Sequence, residues 1–156
     1  MFGHSLALFS TLSVVAIVLA DPVVPPAEFA IIQNGIYYFE TNTAKNWFDA
    51  SEACHRMSAE LVTFETLEEW KAVNKYIADK NIDGKYWTSG TDLAVNGKHS
   101  WFTTGLPLNI NIWAPGEPNN RFDNEHCDHI HNTLGLNDYN CNSVSLYICE
   151  ARRSCD

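Results

Sequence analysis

Positive charge is scarce in this chain: ten Lys and Arg stand against nineteen Asp and Glu in 156 residues, a formal net charge of −9. No basic patch exists to release counterions from a polyanion, which argues against nucleic acid and anionic membrane surfaces as partners. No Asn-x-Ser/Thr sequon occurs, so N-glycosylation is not expected. Internal repeats, heptads and low-complexity tracts are missing too, leaving no solenoid or coiled coil to build. No Glu sits beside two histidines at helical spacing and there is no nucleophile elbow, so the common hydrolase signatures are absent.

The first twenty residues hold no Lys, Arg, Asp or Glu, and Leu6 to Leu19 form an apolar run. That run is short for a bilayer span of ~20 residues and suits a signal peptide's core. The expectation is a signal peptide over 1–20, cleaved after Ala20, with secretion and no membrane insertion. The segment 1–20 carries none of the charge, so the acidity belongs to the remainder, which is the size of one domain.

Five cysteines follow, at 54, 127, 141, 149 and 155. In an oxidising compartment most should pair, and five allow about fifteen ways of making two bridges with one thiol over. Spacing alone does not choose among them, although Cys127 and Cys141 are close enough for a local staple.

The Pro-rich stretch 21–34 reads as an exposed lead-in. Ile36 to Glu40 is aromatic and β-branched between turn residues and reads as a strand. Trp47 to Glu60 predicts a helix with Trp47, Ala50, Cys54 and Met57 on one face. A short strand is expected over Leu61 to Phe64. A second helix should begin near Thr66, with Glu68 and Glu69 in its first turn, and end at Asn81 to Gly84. Trp87 to Asp92, Ser100 to Thr104, Asp128 to His131 and Leu146 to Glu150 are strand candidates. Between them, Gly105 to Asn124 lacks regular patterning, and loops that long inside a domain are usually functional. Two helices followed by a strand-and-loop half give an α+β single domain.

The densest chemistry lies in the second half. Glu117, Asn119, Glu125, Asn137 and Asp138 place three carboxylates and two carboxamides within twenty-two residues. Oxygen donors without sulfur are what Ca2+ selects, typically six to eight at ~2.3–2.6 Å. The same cluster could be a solvated polar loop. His126, His129 and His131 could suggest zinc, but they read better as partly exposed histidines, His129 and His131 on one strand face and His126 on the other. Trp87, Trp101 and Trp113 read as packing residues.

These landmarks resemble the C-type lectin domain family over roughly Gly35 to Glu150. The match runs in order through Tyr37-Tyr38-Phe39, Asn46-Trp47-Phe48-Asp49-Ala50, Cys54, Leu61-Val62 and Tyr86-Trp87-Thr88-Ser89-Gly90. It continues through Trp113, Glu117-Pro118-Asn119, Glu125, Cys127, Gly135-Leu136-Asn137-Asp138, Cys141 and Tyr147-Ile148-Cys149-Glu150. The resemblance implies a carbohydrate-recognition domain over 35–150, a tail over 151–156, and bridges Cys54–Cys149 and Cys127–Cys141. Cys155 is left over, and a covalent dimer is one of its fates.

It further implies a calcium ion held by Glu117, Asn119, Glu125, Asn137 and Asp138, with a cis Glu117–Pro118 bond turning two side-chain carbonyls toward one point. Two open coordination positions would take vicinal hydroxyls of a hexose, the carboxylates accepting and the amides donating hydrogen bonds. In this family Glu-Pro-Asn goes with mannose-type sugars, and neighbouring loops can admit galactose or fucose. The expected partners are glycans of microbial or host surfaces, in innate immune recognition or agglutination. Two departures stand out. Leu136 replaces a common aromatic, a modest loss of packing. Of Asp92, Asn96, Asn120 and His126, which match a second calcium site of some relatives, only Asp92 is acidic, so that site is expected to be missing. Two other functions compete with this one: a protein-binding module on the same fold, with calcium only ordering loops, and a zinc hydrolase using His126, His129 and His131.

Overall fold

Asn46 and Thr66 start the two helices. The Asn46 side chain accepts from the Asp49 backbone N–H at the head of α1 (Trp47–Arg56), and Thr66 accepts from Glu69 N–H at the head of α2 (Leu67–Lys80). Each occupies an orphan donor of a first turn. The structure is a computed structural model and describes residues 28–132 and 134–151. The expected signal peptide and Cys155 lie outside the described residues. Trp47, Ala50 and Cys54 are buried on α1, and Trp70, Val73 and Ile77 on α2, as the helical spacing predicts.

The strands are β1 (Ala30–Ile32), β2 (Gly35–Lys45), β3 (Ala59–Leu61), β4 (Lys85–Thr91), β5 (Ser100–Trp101), β6 (Cys127–His131), β7 (Leu136–Tyr139) and β8 (Ser145–Ala151). They form one sheet in the order β1-β2-β8-β4-β6-β7, with β3 on β8 and β5 on β4. Among the described strands only the β4–β8 pair is parallel. Helices packed on this sheet make the α+β fold expected from the sequence.

Several boundaries differ from the sequence reading. α1 stops at Arg56, because Ser58 takes a left-handed φ of 57° and Ala59 to Leu61 gain a ladder against Ala151 to Cys149. β1 falls inside the stretch read as a lead-in, where Ala30 pairs with Tyr37. Only Ser100 and Trp101 of the expected Ser100–Thr104 strand are regular. β7 went unrecognised, since Asn137-Asp138 has the composition of a loop; pairing with β6 overrides that local preference.

Two apolar clusters fill the interior. One joins α2 to Tyr86, Trp101, Ile130, Leu136 and Ile148, and the other joins α1 to Trp87, Tyr147 and the half-cystines. Cys54–Cys149 ties α1 to β8, and Cys127–Cys141 closes the β6–β7 hairpin. In the chain-entropy account the longer loop is worth ~4–5 kcal/mol and the shorter ~3 kcal/mol. Leu136, which stands where an aromatic is common, is fully buried in the core. Trp87 and Trp101 are buried as read.

Candidate carbohydrate and calcium site

β7 delivers the floor of the site. Alternation along a strand sends neighbouring side chains to opposite faces, and on β7 Asp138 is fully buried while Asn137 is half-buried. The Asp138 carboxylate reaches into the 117–125 loop. Its Oδ1 accepts the Asn119 backbone N–H at 3.0 Å and its Oδ2 accepts that of Asn120 at 2.6 Å. The turn itself starts from a cis Glu117–Pro118 peptide, as expected, and passes through left-handed Asn120 and a 3-10 turn at Arg121–Asp123.

Glu125 closes the loop from its other end. Its Oε2 accepts Arg121 N–H at 3.0 Å, and its own N–H donates to Asn120 Oδ1 at 3.2 Å. The Asn137 amide nitrogen donates to the Asp138 carbonyl at 2.5 Å and lies 3.4 Å from His129 Nε2. Its oxygen is therefore the atom left to ligate. Glu117 senses the charges of Asp138 and Glu125 and bonds Asn119, and Glu125 senses Asp138, so four of the five candidate residues are neighbours, while Asn137 turns its amide nitrogen to the Asp138 carbonyl and the His129 ring.

Electrostatics mark the same place. Glu117 Oε2 is buried and has no hydrogen-bond partner. Its carboxyl is pushed up to about 7, first by burial, then by hydrogen bonding to Asp138 and by the charges of Asp138 and Glu125, against a smaller lowering by Asn119. Glu125 is raised as well, by burial first and by the Asp138 charge, with the Arg121 backbone bond opposing. Crowded carboxylates that resist ionisation are held together in the charged form by a cation between them. Among the described residues no three or more His, Cys, Asp or Glu side chains are grouped so as to hold a metal ion, Glu117, Glu125 and Asp138 included. The chemistry of the five candidate residues, three carboxylates and two carboxamides with no sulfur or imidazole, is of the oxygen type that suits Ca2+.

The region matching a second calcium site is knit by protein contacts. His126 Nδ1 lies 2.8 Å from Asp92 Oδ1, and Gly97 N–H donates to Asp92 Oδ2 at 2.6 Å. Asn120 Nδ2 reaches Asn96 Oδ1 at 3.4 Å. Imidazole and backbone thus stand around the carboxylate that Ca2+ would otherwise draw.

Two residues escaped the sequence reading. His99 is almost buried beneath the loops, with Nδ1 2.9 Å from Asp128 Oδ1 and Nε2 3.8 Å from Asp92 Oδ2. Burial lowers the affinity of His99 for its proton, but the bond to Asp128 and the charges of Asp128, Asp92 and Asp138 outweigh it and the net shift is upward. Asp128 is raised to about 6 by burial, with His99 opposing. Gly90 makes room for it, since a Cβ there would meet Asp128 Oδ2 at 2.4 Å. An acid in the middle of a short strand candidate, Asp128 in Cys127–His131, was the available signal.

His129 also corrects the reading of partly exposed histidines. It is fully buried against Trp87 and Tyr139, and burial, then the charges of Lys85 and His131, push it down to about 3. It is a core imidazole, and His126, His129 and His131 do not converge on an ion among the described residues.

A mixed sheet braced by two helices and two disulfides, carrying an oxygen-rich loop over its β6–β7 end, defines a carbohydrate-recognition type of domain. Comparison with known proteins agrees. Residues 43–151 match the family described as Lectin C-type domain. C-type lectin 37Da of Drosophila melanogaster is 40% identical over 128 residues, 76% of this chain and 69% of the relative. Salivary C-type lectin 1 of Aedes albopictus is 32% identical over 153 residues, 92% of this chain and 98% of the relative. The cow CD23 carbohydrate-recognition domain, solved in the presence of a GlcNAc2Man3 oligosaccharide, superimposes with a TM-score of 0.71 at 28% identity. It covers 85% of this chain and 98% of that structure. The protein belongs to the C-type lectin family. That family and fold are carbohydrate-binding and non-enzymatic, and its domains generally bind Ca2+.

Proposed function

We propose that the protein is a secreted, calcium-dependent lectin that takes mannose-type sugars through Glu117, Asn119, Glu125, Asn137 and Asp138. The observation that supports this reading is the folding of the 117–125 loop onto the Asp138 carboxylate, which accepts the Asn119 and Asn120 backbone N–H groups, with Glu117 Oε2 buried and unpartnered beside it. Ca2+ supplies a positive centre that satisfies the crowded carboxylates and accepts hydroxyl oxygens. The protein's own groups set the pattern around it: carboxylates accept from sugar hydroxyls, and carboxamides donate to them. Glu117 and Asn119, on either side of Pro118, fix that donor–acceptor order, which suits the paired equatorial hydroxyls of mannose.

Secretion rests on the apolar leader-like segment, and no helix among the described residues is long and apolar enough to cross a membrane. The targets are glycans of microbial or host surfaces, in innate recognition or agglutination. One shallow site binds weakly, so clustering on a glycan-dense surface supplies the avidity.

The test is retention on mannose- and galactose-agarose with Ca2+, repeated with EDTA and with Glu117→Gln/Asn119→Asp. Calcium-dependent retention on mannose, lost with EDTA and moved toward galactose by the double variant, is the expected result. Failure on both resins, with a melting temperature indifferent to Ca2+, would instead fit a protein-binding domain that free mannose does not compete.

A further inference from the structure

Two Asn-Gly pairs occur in the chain, Asn34-Gly35 and Asn96-Gly97. Such a pair is open to deamidation, because the glycine nitrogen reaches the asparagine side-chain carbonyl with no Cβ in the way. Whether it reacts depends on what surrounds the nitrogen and the carbonyl, and the fold treats the two pairs in opposite ways.

Asn34-Gly35 is shut inside a hairpin. Gly35 is buried and pairs with Ile32 in the β1–β2 ladder, and a Cβ there would collide with the Tyr37 ring. Its nitrogen cannot swing toward the side chain without breaking that ladder. Asn96-Gly97 instead stands exposed in the loop between β4 and β5. Lys98 N–H donates to the Val95 carbonyl at 2.9 Å, closing a turn around the pair, and Gly97 has the φ of +76° that a type II turn asks of its third residue. A Cβ on Gly97 would meet nothing within 4 Å, so the peptide has room to rotate.

The reacting atoms also have the partners that the reaction needs. Gly97 N–H, on the nucleophile, donates to Asp92 Oδ2 at 2.6 Å, so a carboxylate stands where the proton must leave. His126 holds that carboxylate from its other oxygen. Asn96 Oδ1, on the carbonyl to be attacked, accepts from Asn120 Nδ2 at 3.4 Å, a donor aimed where negative charge develops.

We infer that Asn96 is a site of spontaneous deamidation promoted by its own loop, with Asp92 as the base. The Gly97 nitrogen gives its proton to Asp92 and bonds to the Asn96 side-chain carbon. The carbon–nitrogen bond of the carboxamide then breaks, and ammonia leaves with that proton, giving a cyclic imide. Water opens the ring at one of its two carbon–nitrogen bonds and leaves aspartate or isoaspartate at 96. No electrons are transferred, and water is the sole co-reactant.

The consequence for binding rests on the calcium-site reading above. Asn120 joins the two places: its Nδ2 holds Asn96, and its Oδ1 accepts the N–H of Glu125 at 3.2 Å. Isoaspartate lengthens the backbone at 96 by one carbon and withdraws that support. The protein thus carries a clock on its calcium affinity.

The test stores the parent and Asp92→Asn at pH 8, folded in buffer and also reduced and unfolded in urea, and follows both Asn-Gly peptides by mass spectrometry. In the folded parent, Asn96 should deamidate about two- to tenfold faster than in the unfolded chain, below the ~10²–10⁴ that a positioned base supplies in an enzyme. Asn34 should react more slowly folded than unfolded. Asp92→Asn, its fold checked by circular dichroism, should lose the acceleration at Asn96. Aged parent should bind Ca2+ more weakly than fresh parent, whereas Asn96→Gln should bind alike fresh and aged. An Asn96 that reacts no faster folded than unfolded overturns the inference without need of any variant, and so does an acceleration that survives in folded Asp92→Asn. Equal calcium affinity of fresh and aged parent overturns the clock. No calcium binding by fresh parent overturns the calcium-site reading instead, and the masses still decide the deamidation.

Discussion

Asp138, buried on β7, accepts the backbone N–H of Asn120 at 2.6 Å. The next N–H back, that of Asn119, donates to the other carboxylate oxygen. One residue of the sheet therefore sets the path of a loop that lies almost twenty positions earlier in sequence. Asp138→Asn keeps the volume and removes the charge and one acceptor. Charge-assisted bonds of this kind are worth ~1.5–3 kcal/mol each. Thermal unfolding in EDTA should show a loss within that range, faster amide exchange at Asn119 and Asn120, and no calcium-dependent retention on mannose-agarose.

Calcium binding should weaken as pH falls. The Glu117 carboxyl, at about 7 without metal, is raised above its ordinary 4.5, so its proton is held more tightly in the folded protein than in the unfolded chain. The neutral form dominates below about 7 and competes with the cation; above it the ionised carboxylate is free to ligate. Calorimetric titration with Ca2+ at pH 8 and pH 5.5 should show tighter binding at the higher pH, with protons released at the lower. Glu117→Gln should flatten that dependence.

His129 works on stability in the opposite direction. Its folded pKa of about 3 lies below the ordinary 6.5, so the unfolded chain binds the extra proton between those values. Stability is full above about 6.5 and is lost as pH falls through that window, by roughly 2 kcal/mol at pH 5. His129→Leu in EDTA should lose less stability than the parent between pH 7 and pH 5. Equal losses would mean that this imidazole is reached by solvent.

Gly135→Ala should damage the site from behind. Gly135 has φ +145°, and a Cβ there would meet Ala114 N at 2.4 Å. The chain must open where Ala114 N–H donates to the Leu136 carbonyl at 2.8 Å. A drop of about 1–3 kcal/mol in stability is expected, together with weaker mannose retention, because Ala114 leads directly into the Glu117 turn.

What the sequence determined by itself was local or periodic. Helical spacing marked the buried stripes of α1 and α2, Glu68 and Glu69 marked the first turn of α2, and an oxygen-rich cluster free of sulfur marked the candidate donor set from Glu117 to Asp138. Those signals need no knowledge of distant contacts. The remainder depended on which segments meet. The β7 strand exists because Asn137-Asp138 finds β6, a pairing that outweighs its loop-like composition. The short β3 ladder exists because β8 lies within reach of Ala59. His99 and Asp128, twenty-nine positions apart, become a buried pair only after β4, β6 and the loop between them close around Gly90. His129 and Leu136 look ordinary in the chain, yet burial makes one a neutral imidazole and the other a core residue. Burial and partner choice are properties of three-dimensional packing, and no spacing along one dimension encodes them.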